Sequence, residues 1–242
     1  MQQLRFFIKT FLACVVGLCV NANALNWQSK DFANIKNKEQ TMQILIIGAN
    51  GSVAKIATQG FLSGTNANLK LYLRNSSRLA KIAKQNPNRI QLIEGNALDK
   101  TALKNAMQGV NVVYANLAGN DLPKMAQSII AAMKESGLKR LIWISSYGVY
   151  GEVNDSSISS MLTPYAKSVQ MVEASGLDYT IIRPQWFSNA DEIDYELTRK
   201  NEAFKNPNAQ ISRKSIAHLV IRLCLEQDFG VKESLGINKP AR

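Results

Sequence analysis

The sequence predicts an α/β fold, a doubly wound parallel sheet forming one domain with a small C-terminal lobe on the substrate side. Three observations predict it. From Met42 onward, short apolar runs alternate with helical patterns, the order expected of right-handed βαβ units. The first run, Ile44 to Ile47, is wholly apolar and mostly β-branched, as in a strand buried on both faces. It leads directly into Gly48-Ala-Asn-Gly-Ser-Val-Ala-Lys55, a glycine turn ahead of an amphipathic helix with Val53, Ile56 and Ala57 on one face.

That turn is a candidate phosphate site. Gly48 and Gly51 let the backbone turn tightly and approach a pyrophosphate, and Asn50, Ser52 and Val53 lie where a helix N-terminus offers free N–H groups. The spacing Gly48-x-x-Gly51-x-x-Ala54 differs from the G-x-G-x-x-G dinucleotide fingerprint, but its place between a buried strand and a helix is the context that motif requires.

The remaining elements follow in order. Leu69 to Leu73 reads as the second strand, and Ser76 to Gln85 as a short helix stopped by Asn86-Pro87. Ile90 to Ile93 is the third strand. Asp99 caps a helix running to about Gln108 and closed by Gly109. Val110 to Ala115 is the fourth strand, Asp121 to Ser136 a helix ended by Gly137, and Arg140 to Ser145 the fifth strand. Pro164 to Ser175 is a helix ended by Gly176, and Asp178 to Arg183 the sixth strand. Residues 185–212 are irregular and fall beside the strand ends where a substrate would lie. A last helix starts near Ile211, with Ser212 as its cap.

Composition narrows the function. The chain carries a net charge of +11, and 24 basic against 16 acidic residues from residue 42 onward leave +8 there. That surplus suits an anionic ligand such as a dinucleotide phosphate. No basic run interleaved with aromatics, helix-turn-helix pattern or zinc spacing points to nucleic acid. His218 is the one histidine, which excludes His-based triads and His-rich metal sites, so no metal is expected. Three cysteines, two of them near the N-terminus, build no disulfide framework.

Residues 1–41 read as an extension outside the domain at 42–242. Arg5 and Lys9, the apolar run Phe11 to Val20 and Ala22-Asn23-Ala24 resemble a secretory signal peptide with its cleavage site. The run is short for a membrane span. Soluble nicotinamide cofactor is scarce outside the cytosol, and Met42 stands just before the first strand. The expectation is therefore an internal start at Met42 and a cytoplasmic protein; the alternative is a periplasmic or secreted protein exported through residues 1–24.

Five pieces carry a family resemblance: Ile47-Gly-Ala-Asn-Gly51, Glu94-Gly-Asn-Ala-Leu-Asp99, Ile144-Ser-Ser-Tyr-Gly-Val-Tyr-Gly151, Ser175-Gly-Leu-Asp-Tyr-Thr-Ile-Ile-Arg-Pro184 and Ile211-Ser-Arg213. In this order the chain from Met42 resembles the atypical short-chain dehydrogenases/reductases, in their NAD(P)H-binding, NmrA-like branch. The resemblance implies a Rossmann fold. It implies that Asn96 and Ala97 lie near the adenine and that Asn116, Ala118 and Gly119 run along the cofactor. Where the family commonly has Asp, this chain has Asn96.

For the cofactor, the decisive stretch is Leu71-Tyr-Leu-Arg74-Asn-Ser-Ser-Arg78. An NAD site usually places a carboxylate here for the ribose 2′-OH. This chain offers Arg74, a planar permanent cation suited to a 2′-phosphate, with Ser76, Ser77 and Arg78 as further donors, so NADP(H) is expected over NAD(H).

For the chemistry, likeness to extended members of the superfamily implies that Ser146, with Ser145 as the second candidate, bonds a substrate carbonyl and that Tyr165 is the proton donor. The usual Lys four residues after that Tyr is missing: position 169 is Val, and Lys167 points to another side of the helix. Hydride transfer does not require the pair, because the cofactor carries the chemistry. The leading expectation is an NADP(H)-dependent oxidoreductase acting on a small planar or carbonyl substrate of flavin, quinone or aldehyde type, on which Trp186 and Phe187 could stack. The alternative is a non-catalytic NAD(P)H-binding redox-sensing regulator.

Overall fold

The computed structural model describes residues 25–152 and 156–241. Eight strands form one sheet. They are β1 (Gln43–Ile47), β2 (Asn68–Leu73), β3 (Ile90–Glu94), β4 (Val112–Ala115), β5 (Arg140–Ile144), β6 (Asp178–Pro184), β8 (Glu196–Thr198) and β10 (Glu233–Asn238), in the order β3-β2-β1-β4-β5-β6-β10-β8. Each neighbouring pair is parallel except β10 with β8. Two short strands, β7 (Phe187–Ser188) and β9 (Ile211–Ser212), pair beside it and form the small C-terminal lobe.

Six helices cover the sheet: α1 (Ser52–Gly64), α2 (Ala80–Gln85), α3 (Lys100–Ala106), α4 (Leu122–Glu135), α5 (Ser156–Glu173) and α6 (Arg213–Leu225). Alternation within β1 explains the two layers. Ile44 and Ile46 face the core under α1 and α6, whereas Leu45 and Ile47 face the core under α3, α4 and α5. The chain reverses sheet direction between β1 and β4, and such switch points open a crevice at the carboxyl ends of the strands.

The expected caps are present. Asp99 Oδ1 accepts from the Ala102 N–H at 2.9 Å, and Ser212 Oγ from the Ser215 N–H at 2.9 Å. α5 begins well before the expected start, at Ser156, and holds Pro164 in its interior. Proline there removes one backbone donor without stopping the helix.

Residues 25–41 pack onto this domain instead of standing apart from it. Phe32 and Ile35 are buried in the layer under α1 and α6, and Trp27 packs against them. The expectation that residues 1–41 lie outside the fold does not describe this segment; its apolar side chains have a seat on the sheet's helices. The signal-like residues 1–24 lie outside the described residues. Among the described residues, no helix is long and apolar enough to cross a membrane.

Candidate functional site

The glycine turn is built by close approach between two strand ends. Gly48 has φ +78°, and a Cβ on it would collide with the Asn116 carbonyl. Gly51 has an ordinary φ of −63°, so its constraint is space: a Cβ there would strike the Asn116 amide and sit 3.2 Å from the Gly48 carbonyl. The turn hangs on β2 through Gly48 N–H to the Tyr72 carbonyl at 2.9 Å. α1 then starts with no side-chain cap and no acidic residue in its first turn. Its first N–H groups and partial positive charge therefore face the crevice with Asn50 and Ser52, while Val53 anchors the turn in the core.

At the β2–β3 end, Arg74 and Arg78 are exposed on the rim. Ser76 does not join them as a free donor. Its N–H and hydroxyl both bond the Glu94 carboxylate, at 2.9 and 2.8 Å. Those bonds hold the Glu94 carboxyl below the usual range, the backbone N–H contributing most. Ser77 is likewise engaged, its hydroxyl 2.6 Å from Asn75 Oδ1. Asn96 is exposed and Ala97 buried, and the Tyr72 hydroxyl donates to the Asn96 carbonyl at 2.9 Å. Glu94 was not among the expected site residues; its place at the end of the third strand, opposite the end of the second, was the available signal.

After β4, Asn116 is gripped on both sides. Its N–H donates to the Ile47 carbonyl at 2.8 Å, and its Oδ1 accepts from the buried Tyr114 hydroxyl at 3.0 Å. Ala118 is exposed, and Gly119, at φ +109°, brings its backbone beside the Tyr165 hydroxyl. Tyr165 therefore belongs to the same edge as the β4 loop. Burial raises its pKa above that of a free phenol, and the Gly119 backbone only partly opposes this. Val169, one turn further along α5, is 1% exposed in the core, and Lys167 is exposed to solvent.

At the β5–β6 end the two serines differ. Ser145 is buried and its hydroxyl has no hydrogen-bond partner among the described residues, whereas the half-buried Ser146 bonds the Tyr147 carbonyl at 3.1 Å. The two aromatics beyond Pro184 also part. Phe187 is partly buried against the core with the Arg213 guanidinium 5.0 Å above its ring, while Trp186 is 36% exposed. Trp186 and Leu98 are the exposed large apolar side chains among the described residues, and both stand just past strand ends. Arg183, fully buried, is held by Glu152 at 2.8 Å and by the Ser234 hydroxyl at 3.1 Å, which ties β6 to β10 below this edge.

Arg213 is a residue to which the sequence reading gave no role. It is largely buried at the start of α6 and reaches Ser52 Oγ at 3.3 Å and Asn189 Oδ1 at 2.7 Å. It thus joins the glycine turn to the loop after β7. Its neighbour Ser212, a helix cap, was the signal that fixed where this turn begins.

The arrangement fits a dinucleotide. The turn lacks the Cβ atoms that would close it, the helix start is free of acid, and cations stand at the far rim. Among the described residues no group of His, Cys, Asp or Glu could hold a metal ion. A separate cavity of about 490 Å³ opens at the opposite edge, between Val110, Arg140, Asp178 and Asp228, and includes none of these residues.

Comparisons with known proteins give the family and the fold. The family described as NAD(P)H-binding matches residues 48–227. A Rossmann-fold NAD(P)-binding family protein from Shigella flexneri is 40% identical, with a TM-score of 0.72 over 84% of this chain and 95% of that one. A short-chain dehydrogenase/reductase from Veillonella parvula DSM 2008, in complex with NADP, is 24% identical with a TM-score of 0.73 over 83% and 95%. An anaerobilin reductase from Escherichia coli O157:H7 is 16% identical, with a TM-score of 0.70 over 83% and 98%, a likeness of fold. No curated protein matches the chain.

Proposed function

This chain belongs to the NAD(P)H-binding family, and from that we propose that it is an NADP(H)-dependent oxidoreductase acting on a small planar or carbonyl substrate. The observation that carries the reading is the pairing of an acid-free glycine turn, closed against Asn116, with a β2 end that offers Arg74 and Arg78 and no carboxylate of its own. Gly48, Asn50, Gly51, Ser52 and Val53 would hold the pyrophosphate. Arg74 and Arg78 would read the 2′-phosphate, Asn96 and Ala97 the adenine, and Asn116, Ala118 and Gly119 the stretch toward the reacting end. Bound NADPH supplies a hydride. The chain's own part is to orient the reactants and exclude water.

Ser146 and Tyr165 would face the substrate carbonyl. Ser145, with its unpartnered buried hydroxyl, is the neighbour to compare with Ser146. The raised pKa of Tyr165 keeps its proton in place at neutral pH, and no lysine stands at position 169 to lower it. This supports a substrate that needs little acid catalysis, and exposed Trp186 offers a flat apolar surface for one.

The test is NADPH oxidation in the presence of flavins, quinones, aldehydes and anaerobilin, after titration of NADPH and NADH at fixed salt. Turnover of one class with tighter NADPH binding is the expected result. Absence of NADPH binding would overturn the reading. Tight binding with no turnover on any class would favour the second reading, a redox-sensing regulator, which Val169 in the place of a catalytic lysine keeps open.

A further inference from the structure

Glycine weakens a helix, yet α1 carries Gly60 in its body and Gly64 at its end. A Cβ on Gly60 would meet Ile221 of α6 at 2.5 Å and the Trp27 ring at 2.7 Å, and a Cβ on Gly64 would run into the body of the Phe32 ring. Those two rings pack on each other with centroids 5.2 Å apart, and Phe32 is 2% exposed. One helical turn apart, the two glycines form a seat cut to the shape of residues 27–32.

A second fastening lies at the first turn of α6. Lys214 Nζ is 2.8 Å from Asp191 Oδ1, 3.2 Å from Asp31 Oδ2 and 2.9 Å from the Asn26 carbonyl, and its side chain is only 6% exposed. A buried ammonium needs such partners. A third is His218, whose ring bonds the Asp31 carbonyl and the Tyr195 hydroxyl, both at 2.9 Å. Further along, Asn37 donates to the Leu225 carbonyl at 3.1 Å and so satisfies the end of α6. Asp191 and Tyr195 belong to the loop that follows Trp186, and Arg213, beside Lys214, touches Asn189 and Ser52. The N-terminal segment, the substrate-side loop and the glycine turn meet on one helix start.

We propose that Leu25–Thr41 is a clasp belonging to the working protein, and that the Asp31 carboxylate, acting through Lys214, is a positioning group for the loop 186–195, beside the bond that His218 makes to the Asp31 backbone carbonyl. That the loop borders the substrate rests on the function proposed above; the seating of the clasp does not. A chain begun at Met42 would leave the space beside Gly64 unfilled, that beside Gly60 to Ile221 alone, and Lys214 with one carboxylate. Cleavage after Ala22-Asn23-Ala24 leaves the clasp whole.

The experiment uses the full chain. Hydrogen exchange is followed by amide position in wild type, Asp31→Asn and Asp31→Glu, with NADPH affinity and the thermal midpoint measured alongside. Asp31→Asn should speed exchange in 186–195 about tenfold while the core strands β1 and β4 stay protected, and Asp31→Glu should restore most of that protection. Trp27→Ala should lower the midpoint by about 5–10 °C. The N-terminus of the protein purified from its own host should lie at or before Leu25. Unchanged exchange in 186–195, or a speed-up spread equally over the sheet, would overturn the positioning role. A native N-terminus at Met42 would overturn the clasp. Failure of wild type to bind NADPH would sink the proposed function and leave the exchange result to decide the clasp.

Discussion

α1 has glycines at both ends of its length, and they do different work for the same reason. At the start, Gly48 and Gly51 leave room for the Asn116 backbone and amide, polar neighbours that shape an open turn. Toward the end, Gly60 leaves room for Ile221 of α6 and the Trp27 ring, and Gly64 for the Phe32 ring, all of them apolar neighbours. The first pair would make the ligand site proposed above, and the second lets the chain's own N-terminal segment pack on the helix. Absence of a side chain is therefore not a signature of ligand binding. What separates the two pairs is whether polar backbone groups are left facing the gap.

The sharpest way to break this comparison is Gly51→Val. The new side chain would push Asn116 aside and crowd the Gly48 carbonyl, so dinucleotide affinity should fall by about a hundredfold or more in an NADPH titration. The circular dichroism spectrum should stay that of the folded protein. Unchanged affinity would mean that the ligand does not use this turn.

Next in size is the cofactor choice at the rim. Charge-assisted bonds contribute about 1.5–3 kcal/mol each, so Arg74→Ala should weaken NADPH about tenfold to a hundredfold and leave NADH nearly unchanged. Arg78→Ala should do less. Glu94 adds a control: it holds Ser76 and puts a carboxylate near this rim. The decisive quantity is the ratio of the two dissociation constants at fixed salt. Equal weakening for both cofactors would assign Arg74 to the fold or to the pyrophosphate.

Gly64→Ala tests the other end of the helix, and there the sign is the answer. With open space around it, alanine would stabilise the helix by up to about 1 kcal/mol. Against the Phe32 ring it should instead cost about 1–3 kcal/mol as overpacking, a fall in thermal midpoint of about 3–10 °C. NADPH affinity should not change. A rise in the midpoint would show that the seat is empty in the working protein.

The two ends also differ in how far they can be read from sequence. Gly48 and Gly51 are legible because their context is local: a buried strand before them and a helix after. Gly64 is not, because the Phe32 ring that explains it comes from a segment that reads as an extension, and Gly60 is not, because Ile221 and Trp27 reach it from distant parts of the chain. The same limit applies elsewhere. Asp99 and Ser212 announce helix starts through bonds made within three residues. β10 gives no such notice, since Gly236 interrupts it, and the reason for that glycine is Phe204 and Thr198 on other elements. His218 reads as an ordinary residue of the last helix, and its role appears only when Asp31 and Tyr195 arrive on either side. Of the candidate site, the turn and its helix were legible. Glu94's grip on Ser76 and Arg213's reach to Ser52 depend on contacts between separate strand and helix ends.

The smallest effect is expected where the family's chemistry would place the largest. A positioned general acid typically contributes about a hundredfold to ten-thousandfold, and Tyr165→Phe would remove one if the phenol worked in that way. Its surroundings argue otherwise. Burial raises its pKa, the partner that could lower it is replaced by Val169 in the core, and Lys167 faces solvent. A phenol held protonated far above neutral pH gives up its proton reluctantly, so Tyr165→Phe should reduce kcat by less than about tenfold. For the same reason the rate should show no break from this group between about pH 6 and 9, below the free phenol's value of about 10. The hydroxyl lies beside the Gly119 backbone, in the stretch proposed to run along the cofactor, so the variant should show a modest rise in cofactor dissociation constant and place Tyr165 with the cofactor side of the site. A loss of several orders of magnitude in kcat with binding intact would reverse that assignment. Tyr165 would then be the proton donor despite Val169, and Lys167→Met would be the variant to measure beside it.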